Sequence, residues 1–89
     1  MPDVIHKYPL DRSAGRVAVM MPLRRRVLSV QAQHNVPCVW ALIDPESPLS
    51  LVAFACVLTG AAVPASAGAY VGTVLLDGGA FVLHIFGGS

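Results

Sequence analysis

Val27–Ile43 constrains this chain more than any other stretch, because it reads as one β-hairpin with a definite register. Two apolar runs flank His34-Asn35, and Asn is the non-glycine residue that best tolerates the positive φ of a two-residue turn. Closing the turn there pairs Gln33 with Val36, Gln31 with Cys38, Ser29 with Trp40 and Val27 with Leu42 on one face. The other face sets Leu28, Val30 and Ala32 against Ala41, Val39 and Pro37. That second face is wholly apolar and is expected to be core, whereas the first mixes a Trp and a Cys with Ser and Gln. Pro37 falls in a non-hydrogen-bonded pair with Ala32, so its missing N–H costs the hairpin nothing. It does bar a further strand from pairing at that point, so the hairpin tip is expected to be a free edge.

Short apolar runs separated by turn residues recur along the rest of the chain, and none keeps a helical period for long. Val4–Tyr8 and Arg16–Met21 read as strands stopped by Pro9 and Pro22. Asp44-Pro45-Glu46-Ser47-Pro48 reads as a turn. Leu49–Leu58 as a helix would be apolar all round and need burial on every side, which so small a domain hardly provides, so a strand is expected. Tyr70–Leu76 and Ala80–Phe86 form a second hairpin across Asp77-Gly78-Gly79, after a small-residue loop over 59–69. The expectation is one all-β domain over residues 1–89, a small antiparallel sandwich or partly open barrel of six to seven strands with two tight hairpins.

Charge is scarce. The chain is 55% hydrophobic and 12% charged, where an ordinary globular chain carries roughly 25% charge. Together with strands apolar on both faces, this points to area buried between chains, and a homodimer is expected. All the basic residues lie at or before Arg26, and beyond it the only side-chain charges are Asp44, Glu46 and Asp77. The uncharged run of residues 47–76 is too interrupted by Gly60, Pro64, Gly68 and Gly72 for a membrane helix. No basic n-region precedes an apolar core at the N-terminus, so the chain is expected to be cytoplasmic and free of the membrane, with Cys38 and Cys56 as unpaired thiols.

The residues that could carry chemistry do not assemble. His6, His34 and His84 fall on separate elements with no second ligand at metal spacing. His84 is expected to be half-buried and bonded to a backbone group. Cys38 and Cys56 sit among apolar neighbours with nothing to activate them. Gly78-Gly79 and Gly87-Gly88 read as turn and tail rather than phosphate loops. The expectation is no enzyme, no metal and no cofactor.

Two features are left for binding. Arg24-Arg25-Arg26 is the only charge run; it is either a solvated entry to a strand or a grip on phosphate or an acidic protein surface. Trp40 with Ser29, Gln31 and Gln33 is either a core layer or an interface hot spot, depending on whether its face is open. The candidate partner-binding set is therefore Trp40, Gln31, Ser29, Gln33, Arg24, Arg25 and Arg26.

The segments Lys7-Tyr8-Pro9-Leu10, Met21-Pro22, Leu28–Gln33, Val36–Ala41, Asp44-Pro45, Thr59-Gly60, Tyr70–Thr73 and Gly78–Phe86 together carry a resemblance over nearly the whole chain. Its strongest parts are Ser-Val-Gln-x-Gln, then Val-Pro-Cys-x-Trp-Ala after the turn, and the closing Gly-Gly-Ala-x-Val-x-His-x-Phe. In these the chain resembles small uncharacterised proteins encoded by tailed bacteriophages, prophages and actinobacterial or proteobacterial genomes. Such relatives often carry a His after the Thr-Gly pair and an acidic residue after the final Phe, where this chain has Ala61 and Gly87. The resemblance brings no catalytic motif. It implies a non-enzymatic accessory protein that binds a host protein, with inhibition of a bacterial defence system, anti-CRISPR or similar, as the leading reading. The alternatives are a nucleic-acid-binding accessory using the N-terminal arginines, and a minor virion or assembly protein.

Overall fold

The computed structural model describes residues 2–89. Seven strands follow one another as β1 (Val4–Pro9), β2 (Arg16–Pro22), β3 (Arg25–Gln33), β4 (Val36–Ile43), β5 (Leu49–Leu58), β6 (Tyr70–Leu76) and β7 (Phe81–Gly87). They form two antiparallel sheets, one in the order β1-β4-β3 and the other in the order β2-β5-β7-β6. The inner faces enclose one core to which both sheets contribute, with Val30, Val39, Ala41 and Ile43 from the first and Val52, Phe54, Val74, Leu76, Leu83 and Ile85 from the second. Alternation along each strand places these residues on one side, so the expected sandwich is the one observed. No helix among the described residues is long and apolar enough to cross a membrane.

The β3–β4 hairpin closes on His34 and Asn35 at φ 51° and 62°, the positive pair that a two-residue turn matching strand twist requires. From Gln33↔Val36 to Ser29↔Trp40 the register is the expected one. Beyond that it is not. A β-bulge at Leu28 makes Val27 pair with Ala41 and Arg26 with Leu42, in place of Val27 with Leu42 and Leu28 with Ala41. The extra residue turns Val27 inward onto the core and leaves Leu28, expected in the apolar layer, 41% exposed. Pairing with β1 ends at Pro9↔Cys38, and the Leu10 N–H donates to the Pro37 carbonyl at 2.8 Å, so the proline pair stops the ladder short of the tip.

That tip is nevertheless held. Asp77, in the β6–β7 turn at φ 52°, receives both guanidinium nitrogens of Arg12, at 3.0 and 2.6 Å, and the side-chain amide of Asn35. Its own N–H donates to Asn35 Oδ1 at 2.7 Å. Three loops distant in sequence therefore meet on one carboxylate. The Arg12 and Asn35 hydrogen bonds lower the Asp77 pKa to about 2. A carboxyl whose folded pKa is depressed contributes stability above its ordinary value and loses it as pH falls through the folded one. Melting temperature should therefore drop between about pH 4 and pH 2, and drop less in Asp77→Asn, as a calorimetric pH series would show.

Strand β5 keeps its expected bounds and explains its own composition. Val52, Phe54 and Cys56 face the core, while the loop after β5 folds back so that Ala67 packs on Ala55 and Val57, with Phe86 alongside. Part of the two-sided apolar character is thus satisfied within the chain. The other half stays bare, with Leu51 70% and Met20 51% exposed side by side. The turn of the second hairpin is one residue longer than expected, because Ala80 belongs to it, and the last strand runs Phe81–Gly87 in place of Ala80–Phe86. Gly87-Gly88 is not a tail. Gly87 pairs with Phe54 at the end of β7, and Gly88 is buried against Val27 and Phe54.

Candidate functional site

The outer face of the three-stranded sheet carries the residues singled out in the sequence. Cross-strand pairing sets Lys7, Trp40 and Ser29 in one row and Pro9, Cys38 and Gln31 in the next. Gln33 opposite Val36 closes one end, and Arg26 opposite Leu42 the other. Trp40, Ser29 and Gln33 are half-buried and Gln31 is exposed, and none of them joins the core cluster. The open alternative for Trp40 is thereby resolved: its face is a surface and not a second core layer.

Lys7 completes the face, and sequence reasoning missed it. Its ammonium lies 5.9 Å from the Trp40 ring centroid and donates to Gln33 Oε1 at 2.5 Å. The cation over the indole and the amide bond hold three side chains from three strands in one arrangement. The missing signal was the pairing of β1 with β4, which no turn in the sequence reveals. Asp3 and Asp44 lie near the Arg26 end, in a cavity that Arg26 and Leu42 also line, and Lys7 and Arg26 are the cations of this face. Its chemistry is an aromatic anchor among amides and two positive charges.

The arginine triplet separates. Arg25 pairs with Ile43 and points to the inner end of the sandwich. Its guanidinium donates to the carbonyls of Gly88 at 3.0 Å, Pro22 at 3.2 Å, Leu23 at 3.3 Å and Ser89 at 3.0 Å. It is a brace and not a contact residue. The Arg24 side chain, 78% exposed, reaches Asp44 at 3.5 Å, a contact of little energetic weight at such exposure. Of the three, only Arg26 shares the Trp40 face.

Both cysteines are free and buried. Cys38 is 2% exposed in spite of its outer-face position. Burial pushes the Cys56 thiol pKa up, with the Asp11 charge adding to it, the opposite of what a reactive thiol needs. His84 is half-buried as expected, but its partners are side chains and not the backbone group expected from sequence; Thr59 Oγ1 meets Nε2 at 2.8 Å and Thr73 Oγ1 meets Nδ1 at 2.9 Å. The Tyr70 hydroxyl extends the chain to Thr73 at 2.7 Å. No group of three or more His, Cys, Asp or Glu among the described residues could hold a metal ion.

At Gly87 the backbone has φ 117° and a Cβ would lie 2.3 Å from the Ala53 carbonyl oxygen. No curated protein and no solved structure matches the chain. A family model does match, over residues 1–89, and the chain belongs to that family, the domain of unknown function DUF7352.

Proposed function

We propose that this chain is a non-enzymatic phage or prophage accessory protein that acts by binding a host protein through the outer face of its three-stranded sheet, and that it inhibits a bacterial defence system, of the anti-CRISPR type or similar. The observation that carries the binding reading is Trp40, half-buried and fixed by Lys7 and Gln33 on a face outside the core. An aromatic held beside a cation and an amide is the composition of an interface hot spot, and pre-fixing it reduces the ordering cost of association. With the Lys7 ammonium beside the indole, the complementary surface is acidic. Inhibition would proceed by occluding such a surface, not by mimicking DNA, which calls for dense Asp and Glu.

Capture from bacterial lysate by tagged protein tests this reading. A host defence component retained by the wild type and lost with Trp40→Ala supports it; retention that ignores Trp40 overturns it. The nucleic-acid alternative loses support because Arg25 is committed to carbonyls within the fold. The homodimer remains part of the proposal, now through the bare Met20–Leu51 side of the other sheet. Light scattering at ~100 μM is expected to give twice the chain mass, and a monomer there would refute it.

A further inference from the structure

Strands β3 and β6 are edges of different sheets and are not hydrogen-bonded to each other, yet they close together along one side of the sandwich. A Cβ on Gly72 would lie 2.8 Å from Val30 Cγ1, so the closure depends on glycine. Both edges carry a β-bulge next to this contact, at Leu28 in β3 and at Val71 in β6. Bulges bend a strand away from its neighbour and are enriched beside functional sites. Here two of them face each other, and the seam opens into a groove of about 370 Å³.

The groove has distinct walls, floor and end. Leu28, Val71 and Tyr70 form an apolar rim, with Tyr70 60% exposed. Gly87 and Gly88 form the floor, held by the Gly87 N–H on the Ala69 carbonyl at 2.8 Å and by Arg25 on the Gly88 carbonyl. Arg26 lines the groove as well; it also borders a neighbouring cavity with Asp3 and Asp44, but its side chain has no hydrogen bond or ion pair among the described residues. Arg25 thus stiffens the floor while Arg26 is left for a ligand. The groove adjoins Ser29 on the same strand and so continues the Trp40 face.

We propose that this groove takes an extended acidic segment of the protein partner, in which an Asp or Glu neighbours a large apolar residue. The carboxylate is forked by the Arg26 guanidinium and the apolar side chain packs between Leu28, Val71 and Tyr70. A second copy of this chain is a poorer occupant. Asp11, Asp44 and Asp77 are held by donors of their own chain, Asp3 shares a cavity with its own arginines, and Glu46 has no large apolar neighbour. The proposal rests on the reading that the adjoining face binds protein and adds what that partner must present.

The test is an amide-shift titration of the ¹⁵N-labelled protein with N-acetyl-Leu-Glu-Phe-amide and with its Gln counterpart. Saturable shifts at Leu28, Val71, Gly87 and Gly88 are expected, with millimolar affinity and at least about fivefold weaker binding of the Gln peptide. Arg26→Gln should erase that difference, and Leu28→Ser, at an exposed bulge, should weaken both peptides; each variant's own spectrum reports whether it folds. No shift up to ~10 mM, equal affinity of the two peptides, or shifts confined to the Met20–Leu51 side would overturn the proposal. Trp40→Ala separates the two readings. Loss of lysate capture with no peptide in the groove removes the groove alone, whereas groove binding beside unchanged capture removes the Trp40 reading.

Discussion

Gly87→Ala should melt far below the wild type, by roughly 15–30 °C, equivalent to a loss of about 3–5 kcal/mol in a domain of this size. Two effects add. At φ 117° an L side chain is strained whatever its surroundings, and here the space is also taken. The new Cβ would lie 2.3 Å from the Ala53 carbonyl oxygen and 2.9 Å from Phe54 Cα, both backbone atoms with no rotamer to change. Relief requires β7 to move away from β5 at the Phe54↔Gly87 pair, which disturbs Phe54 at the centre of the core. Gly78→Ala is the control, since its φ is also positive but nothing lies within 4 Å of a Cβ there. It should cost about 1–2 kcal/mol, the strain without the clash. Equal melting of the two variants would show that the close approach of β7 to β5 is not what holds this end of the sandwich.

Trp40→Ala should cost partner binding about 2 kcal/mol or more, roughly a thirtyfold loss of affinity, with the fold retained. The indole is half-buried on the outer face and lies outside the core cluster, so its removal leaves no core cavity. It does release Lys7, which then keeps only its bond to Gln33. Lys7→Met should weaken binding less, because it removes a charge while keeping an apolar stem against the ring. Affinities from titration calorimetry, read beside melting curves, would check the order of these two effects.

The parts of this structure legible in the sequence are those fixed by local chemistry. His34-Asn35 supports a two-residue turn, and alternation on either side then sets the faces up to Ser29↔Trp40. Prolines and the scarcity of helical periodicity were enough for the all-β class and for the bounds of β5. What escaped depends on partners remote in the chain. The bulge at Leu28 answers to the core's need for Val27, not to any turn signal. Arg24, Arg25 and Arg26 look alike in sequence, yet one is solvated, one braces carbonyls and one reaches the outer face. Lys7 belongs to the site only because β1 lies against β4, and Asp77 meets Arg12 and Asn35 only when three loops converge. Gly87-Gly88 resembles a flexible end in composition, and its role follows from how closely β7 approaches Phe54.

The central claim is that the Trp40 face is a contact surface, and Gln31→Glu tests it most directly. The change adds a charge with little change of shape at an exposed position of β3 opposite Cys38. On a contact surface the unpaired charge is desolvated only when the partner arrives, so binding suffers and folding does not. Melting and chromatographic size should therefore match the wild type within a few degrees, while lysate capture of the partner is lost. Undiminished capture by the folded variant, or a large fall in melting temperature with no folded species left in the chromatogram, would contradict the account.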